Sequence, residues 1–172
     1  MTILRHSPAG LIASGVFALA LLHAGAASAS DMIVNAKTGK CLTIAGGTSP
    51  ANNIEGVQFN CDSDPSRRWI LREIRDKVYE IINVKTRKCL TIAGGRSTAN
   101  SLPTVQFDCD RDPSRTWRIT DVTGSGVYQV RNMQTNKCLT IEGGTSSANN
   151  LRAVQFDCDD DLSRRWTMRD KL

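Results

Sequence analysis

A chain of 172 residues with 22 Lys and Arg against 17 Asp and Glu carries a formal charge of +5. Its basic residues are scattered among aspartates with no run of five or six like charges, which argues against a nucleic-acid interface and reads as a solvated surface. The first element in chain order is a leader. Arg5 and His6 precede an apolar run from Leu11 to Leu22, and Ala27-Ser28-Ala29 is a small-x-small cleavage site. This predicts a signal peptide over residues 1–29 and a secreted, extracellular protein. The run is too short for a membrane anchor and no later one is longer, so no membrane insertion is expected. Cleavage would leave residues 30–172 and remove Arg5, for a charge of about +4 (5 − 1). That length suits a single domain.

The remainder says one thing three times. Lys-Cys-Leu-Thr-Ile, a Gly-Gly pair, Val-Gln-Phe, a second cysteine and a closing Trp recur in order. The first cysteines, Cys41, Cys89 and Cys138, stand 48 and 49 residues apart, and so do Cys61, Cys109 and Cys158. A fixed period of this size marks a repeat architecture in which no unit buries its apolar face alone. The repeats run over about 31–78, 79–127 and 128–172.

Within one repeat, Cys41 to Ile44 alternates as a strand and stops at Gly46-Gly47, turn glycines expected at positive φ. The polar stretch Thr48 to Asn53 leads into a second strand at Gly56 to Phe59. Asp64-Pro65-Ser66 is turn chemistry. Strands follow at Trp69 to Leu71 and Val78 to Ile82, and Asn83 to Thr86 turns into the next unit. Four short strands per unit predict an all-β barrel or sandwich of twelve strands, closed so that no sheet edge is left open.

Six cysteines in an exported chain read as three disulfides. Two pairings treat every repeat alike. One is internal: Cys41–Cys61, Cys89–Cys109 and Cys138–Cys158. The other joins each repeat to the next. The internal set is preferred because its loops are shorter. There is no Cys-x-x-Cys, and both histidines, His6 and His23, lie in the leader. Neither a zinc site nor a His-based triad is therefore expected. The reading is of a non-enzyme with no metal and no cofactor.

This framework resembles the ricin-type β-trefoil lectins over essentially all of Asp31 to Leu172. The family's late Gln-x-Trp is here Arg67-Arg68-Trp69, Arg115-Thr116-Trp117 and Arg164-Arg165-Trp166. The resemblance implies a β-trefoil of three four-stranded repeats with pseudo-threefold symmetry, and up to three shallow glycan sites. It also implies an Asp two residues after each first cysteine, where this chain has Thr43, Thr91 and Thr140. The family's stacking aromatic aligns with Phe59, or, counting from the glutamine, with Asn60, Asp108 and Asp157.

Strand alternation puts Val57 with Phe59 and Gln58 with Asn60 on opposite faces. It favours burial of Phe59, Phe107 and Phe156. Thr43, Gln58 and Asn60, Thr91, Gln106 and Asp108, and Thr140, Gln155 and Asp157 are then the expected pocket residues. Asn53 and Asn150 are expected as pocket walls, although Asn also suits a turn. Trp69, Trp117 and Trp166 are read as core pins. Arg67, Arg115 and Arg164 are read as turn anchors on backbone carbonyls, the alternative being a guanidinium offered to acidic glycans. Asp159-Asp160-Asp161 is read as a solvated turn. Expected partners are glycans or polysaccharides. The alternative is a trefoil that has lost sugar binding and contacts a protein, as a delivery subunit or a hydrolase inhibitor.

Overall fold

The computed structural model describes residues 30–170. The predicted leader lies outside the described residues. Twelve strands run in chain order: β1 Met32–Asn35, β2 Cys41–Ile44, β3 Gly56–Phe59, β4 Trp69–Arg75, β5 Val78–Asn83, β6 Cys89–Ile92, β7 Thr104–Phe107, β8 Thr116–Asp121, β9 Val127–Asn132, β10 Cys138–Ile141, β11 Ala153–Phe156 and β12 Trp166–Arg169. Every pairing is antiparallel.

Six strands make a barrel. β1 pairs β12, β12 pairs β9, β9 pairs β8, β8 pairs β5, and β5 pairs β4. The ring closes where Asp31 and Trp69 exchange two backbone hydrogen bonds of 2.9 and 2.8 Å. The other six form hairpins β2–β3, β6–β7 and β10–β11. They meet one another through the bridges Glu55–Val105, Val57–Arg152 and Pro103–Val154. This is a β-trefoil, and closure leaves the barrel strands no free edge.

The repeats share one core. Ile33, Leu42, Ile44, Ile81, Leu90, Leu139 and the three tryptophans are buried together. Trp69, Trp117 and Trp166 have no exposed surface, and each indole Nε1 donates at 2.9 Å to the carbonyl of Leu42, Leu90 or Leu139. Burying a Trp demands a partner for its N–H, and the first hairpin strand of the same repeat supplies it. Buried Asn35, Asn83 and Asn132 each donate to a serine carbonyl of the preceding repeat, those of Ser163, Ser66 and Ser114. The disulfides are the internal set, Cys41–Cys61, Cys89–Cys109 and Cys138–Cys158, with Cα–Cα distances of 5.1, 5.2 and 5.1 Å. Each bridge ties the start of a hairpin to the segment that leaves it.

Candidate functional site

Each repeat carries one surface cavity, of about 270, 270 and 320 Å³ in chain order. In the first repeat the floor is Thr43 and Ile44, and the Gly46-Gly47 turn forms one rim. Both glycines sit at positive φ, +69° and +66°, and a Cβ on Gly47 would stand 3.1 Å from Ser66 Oγ. The opposite rim is a 3-10 turn, Pro65–Arg67, capped by Asp64, whose Oδ1 accepts from the Ser66 N–H at 2.8 Å. Asp112 and Asp161 cap the equivalent turns Pro113–Arg115 and Leu162–Arg164. Asp64, Asp112 and Asp161 all line their cavities. Among the described residues their Oδ2 atoms make no hydrogen bond, and their side chains are 45, 40 and 48 % exposed. Backbone and hydroxyl donation from Ser66 holds the Asp64 carboxyl below its ordinary pKa, with help from Lys85 and Arg67. Asp112 and Asp161 are lowered in the same way, chiefly by Ser114 and Ser163. All three are carboxylates at neutral pH.

Phe59, Phe107 and Phe156 are half-buried and line the cavities. The expectation that they are buried, with Gln58, Gln106 and Gln155 facing outward, is reversed. The alternation itself holds, but both faces of β3 are covered. One faces the cavity. The other is roofed by a loop of a neighbouring repeat, which a rule built on one wet face does not anticipate. Gln58 has no exposed surface, and its Nε2 donates to the carbonyls of Ser146 and Ala148 at 2.9 and 2.7 Å. Gln106 binds Ser49 and Ala51, and Gln155 binds Ser97 and Ala99, in the same way. These glutamines are ties between repeats and do not line the cavities.

Thr43, Thr91 and Thr140 do line the floors, but they are 3 % exposed and their hydroxyls donate to the carbonyls of Ser66, Ser114 and Ser163 at 2.9, 2.9 and 3.0 Å. They position the capping turn. Asn60, Asp108 and Asp157 stand outside the cavities. Asn60 accepts from Lys40. Asp108 accepts from Asn52 at 2.8 Å and pairs with Lys88, while Asp157 does the same with Asn100 and Lys137. The last two therefore clasp a neighbour's loop. Their pKa values are lowered, first by the asparagine amide and then by the lysine.

The loops wall the cavities, but each serves the next repeat. Asn53 of the first repeat lines the second cavity, Ser101 of the second lines the third, and Asn150 of the third lines the first. All three take left-handed backbone, φ 65°, 64° and 66°, a conformation that Asn tolerates better than most residues. Arg67, Arg115 and Arg164 lay their guanidinium groups over Phe59, Phe107 and Phe156, 4.7, 4.5 and 4.6 Å from the ring centroids. Arg67 also donates to the Asn60 carbonyl at 3.1 Å and pairs with Asp62 and Asp64. These arginines anchor the turn and the ring together. The cavities differ at the rim, where Thr48, Arg96 and Thr145 occupy the same place after the glycines.

The three capping aspartates were not among the expected pocket residues, Asp64 and Asp161 being read as turn residues only. Each stands three residues after its second cysteine, a recurrence that could have marked them. Asp-x-Ser, however, is also ordinary cap chemistry. Here Oδ1 caps the turn, and Oδ2 makes no hydrogen bond among the described residues.

The sequence profile of ricin-type beta-trefoil lectin domain-like proteins matches residues 26–107, 73–156 and 113–171. The chain belongs to this family. Solved structures with the lectin-domain fold superpose over most of it. A designed 3-fold symmetric protein, ThreeFoil, matches at a TM-score of 0.77 and 19% identity, covering 82% of this chain and 98% of its own. A Macrolepiota procera ricin B-like lectin, solved in complex with lactose, matches at 0.68 and 17%, covering 83% and 95%. An exo-beta-1,3-galactanase from Clostridium thermocellum matches at 0.77 and 21%, covering 84% of this chain but 30% of its own. The lectin-like chain thus spans under a third of that galactanase. No match is found among curated protein sequences.

Proposed function

We propose that this protein is a secreted lectin-like module that binds glycans or polysaccharides through three shallow sites, one per repeat, and catalyses no reaction. The observation that carries the reading is the thrice-repeated cavity in which a carboxylate oxygen with no hydrogen-bond partner among the described residues shares the lining with a phenylalanine ring and a left-handed Asn or Ser. A saccharide presents hydroxyl donors on its edge and C–H groups on its face, and this set answers both. Charge-assisted acceptance by Asp64, Asp112 and Asp161 replaces the carboxylate that Thr43, Thr91 and Thr140 do not provide. Weak sites of this kind gain strength when several engage one polymer. Secretion rests on the leader and agrees with three formed disulfides.

The triple substitution Asp64→Asn, Asp112→Asn and Asp161→Asn tests the reading, because Asn keeps the capping oxygen and removes the charge. Wild type should bind members of a glycan panel, and the variant should lose at least tenfold in affinity with its melting temperature within a few degrees. Unchanged affinity in the variant, or no binding by folded wild type, would refute it. One observation favours a protein-interaction module in the second case. Val122 and Leu162, 42 and 51 % exposed, share a surface cavity of about 500 Å³.

A further inference from the structure

The barrel wall is less symmetric than the cavities. In the β8–β9 register Arg118 stands directly opposite Arg131. The equivalent pair is Ile70–Ile82 between β4 and β5, and Val34–Thr167 between β1 and β12. Two faces of the barrel thus keep an uncharged pair where the third opposes two guanidinium groups. Like charges directly opposite in a sheet are destabilising.

The pair two residues along, the next on the same side of the sheet, makes the contrast sharper. On the first face Arg72 lies opposite buried Glu80, and the two form an ion pair. The corresponding pair on the third face is Thr120 opposite Gln129. The carboxylate that faces Arg72 on the first face has no counterpart opposite Thr120 on the third. Arg131 finds only neutral acceptors, Asn136 Oδ1 and Gln129 Oε1, each at 3.2 Å. Among the described residues neither Arg118 nor Arg131 has a carboxylate within ion-pair distance. Both line a surface cavity of about 440 Å³ with Thr120, Gln129 and Asn136.

We propose that this cavity is a fourth binding site, built once rather than three times, which takes a sulfate or phosphate group between Arg118 and Arg131. Guanidinium forks match the oxygens of such a group and bind it by charge-assisted hydrogen bonds. The anion supplies the negative charge that Glu80 supplies on the first face. The site is independent of the three repeat cavities.

Inorganic sulfate is the first probe. Sulfate stabilises many folded proteins by exclusion from their surfaces, so the informative quantity is a difference between proteins at equal sulfate and equal ionic strength. Gln129→Glu restores the carboxylate of the first face. Arg118→Ile with Arg131→Ile copies its uncharged pair and covers the case in which the glutamate variant fails to fold. Sulfate should raise the wild-type melting temperature by about 3 °C more than that of either variant, the shift expected of a ligand well above its Kd. It should also move the wild-type Arg118 and Arg131 side-chain NMR resonances. Equal thermal shifts in all three proteins, with no resonance moved, would overturn the site. Dextran sulfate then identifies the natural source. Tighter binding per sulfate than the free ion, lost in Gln129→Glu, assigns the site to a sulfated polymer, and equal binding assigns it to the free anion.

Discussion

Gln58, Gln106 and Gln155 show how one amide can join two repeats. Each is fully buried, and its two N–H groups satisfy two carbonyls of a loop some 55 to 90 residues away in sequence. Truncation would leave those carbonyls without a donor, and an unsatisfied buried polar group costs more than the hydrogen bond it lost. Gln106→Ala should therefore lower stability by about 2 kcal/mol, read as a shift in the urea midpoint with an unchanged slope. Had Gln106 been a surface sugar ligand, the midpoint would not move. Nothing at residue level distinguishes a glutamine that meets water from one that meets a neighbour's loop. The polarity is the same, and what covers the strand lies in another repeat. The capping aspartates were hidden for the opposite reason, since a local role explained them fully and left the role proposed for them without a trace in the sequence.

At the level of elements the sequence was far more legible. β-branched runs between Gly and Asp-Pro turns located the strands of each repeat, the equal spacing of cysteines left two pairings of which loop length favoured the internal one, and the spacing of the tryptophans carried the indole core. Repetition failed as a guide where the hairpins meet. Gly56, Thr104 and Ala153 occupy equivalent positions at the start of β3, β7 and β11, and Thr104 Oγ1 donates to the Ala153 carbonyl at 3.0 Å. A Cβ on Gly56 would stand 2.4 Å from that hydroxyl. Gly56→Ala should thus destabilise the fold by about 1–3 kcal/mol through overpacking. Pairing it with Thr104→Ala should recover part of the loss, and the two measured together form a double-mutant cycle. Additive losses would mean that the contact does not limit the hairpin junction.

For the whole molecule, the acidic groups set the pH response. Asp64, Asp112, Asp121, Glu142 and Asp161 are held below their ordinary pKa values by hydrogen bonds, as are Asp108 and Asp157 in their clasps. A depressed folded-state pKa contributes stability above the unfolded value, and that stability is lost as pH falls through the folded value. Asp31 acts in reverse, because its pKa is raised by burial and by Asp170. One group does not cancel seven. The urea midpoint should stay level from pH 7 to about pH 4.5 and fall below about pH 4. A midpoint that held steady to pH 2 would show that these hydrogen bonds do not favour the folded state. The disulfides persist through such a titration, and each limits the unfolded chain by closing a loop of 20-residue separation.

The loops that wall the cavities run in a cycle, with the first repeat serving the second, the second the third, and the third the first. No repeat completes its cavity alone, since one lining residue of each comes from a neighbour. A gene encoding one such unit of about 48 residues would make a peptide with all but one of a cavity's lining residues and no core, and it would complete that cavity only as a ring of three copies about a threefold axis. Fusion into one chain then frees the copies to diverge. One lip carries Ser where the other two carry Asn, and the second cavity has Arg where the others have Thr, differences that a homotrimer could not hold at one place without the other two.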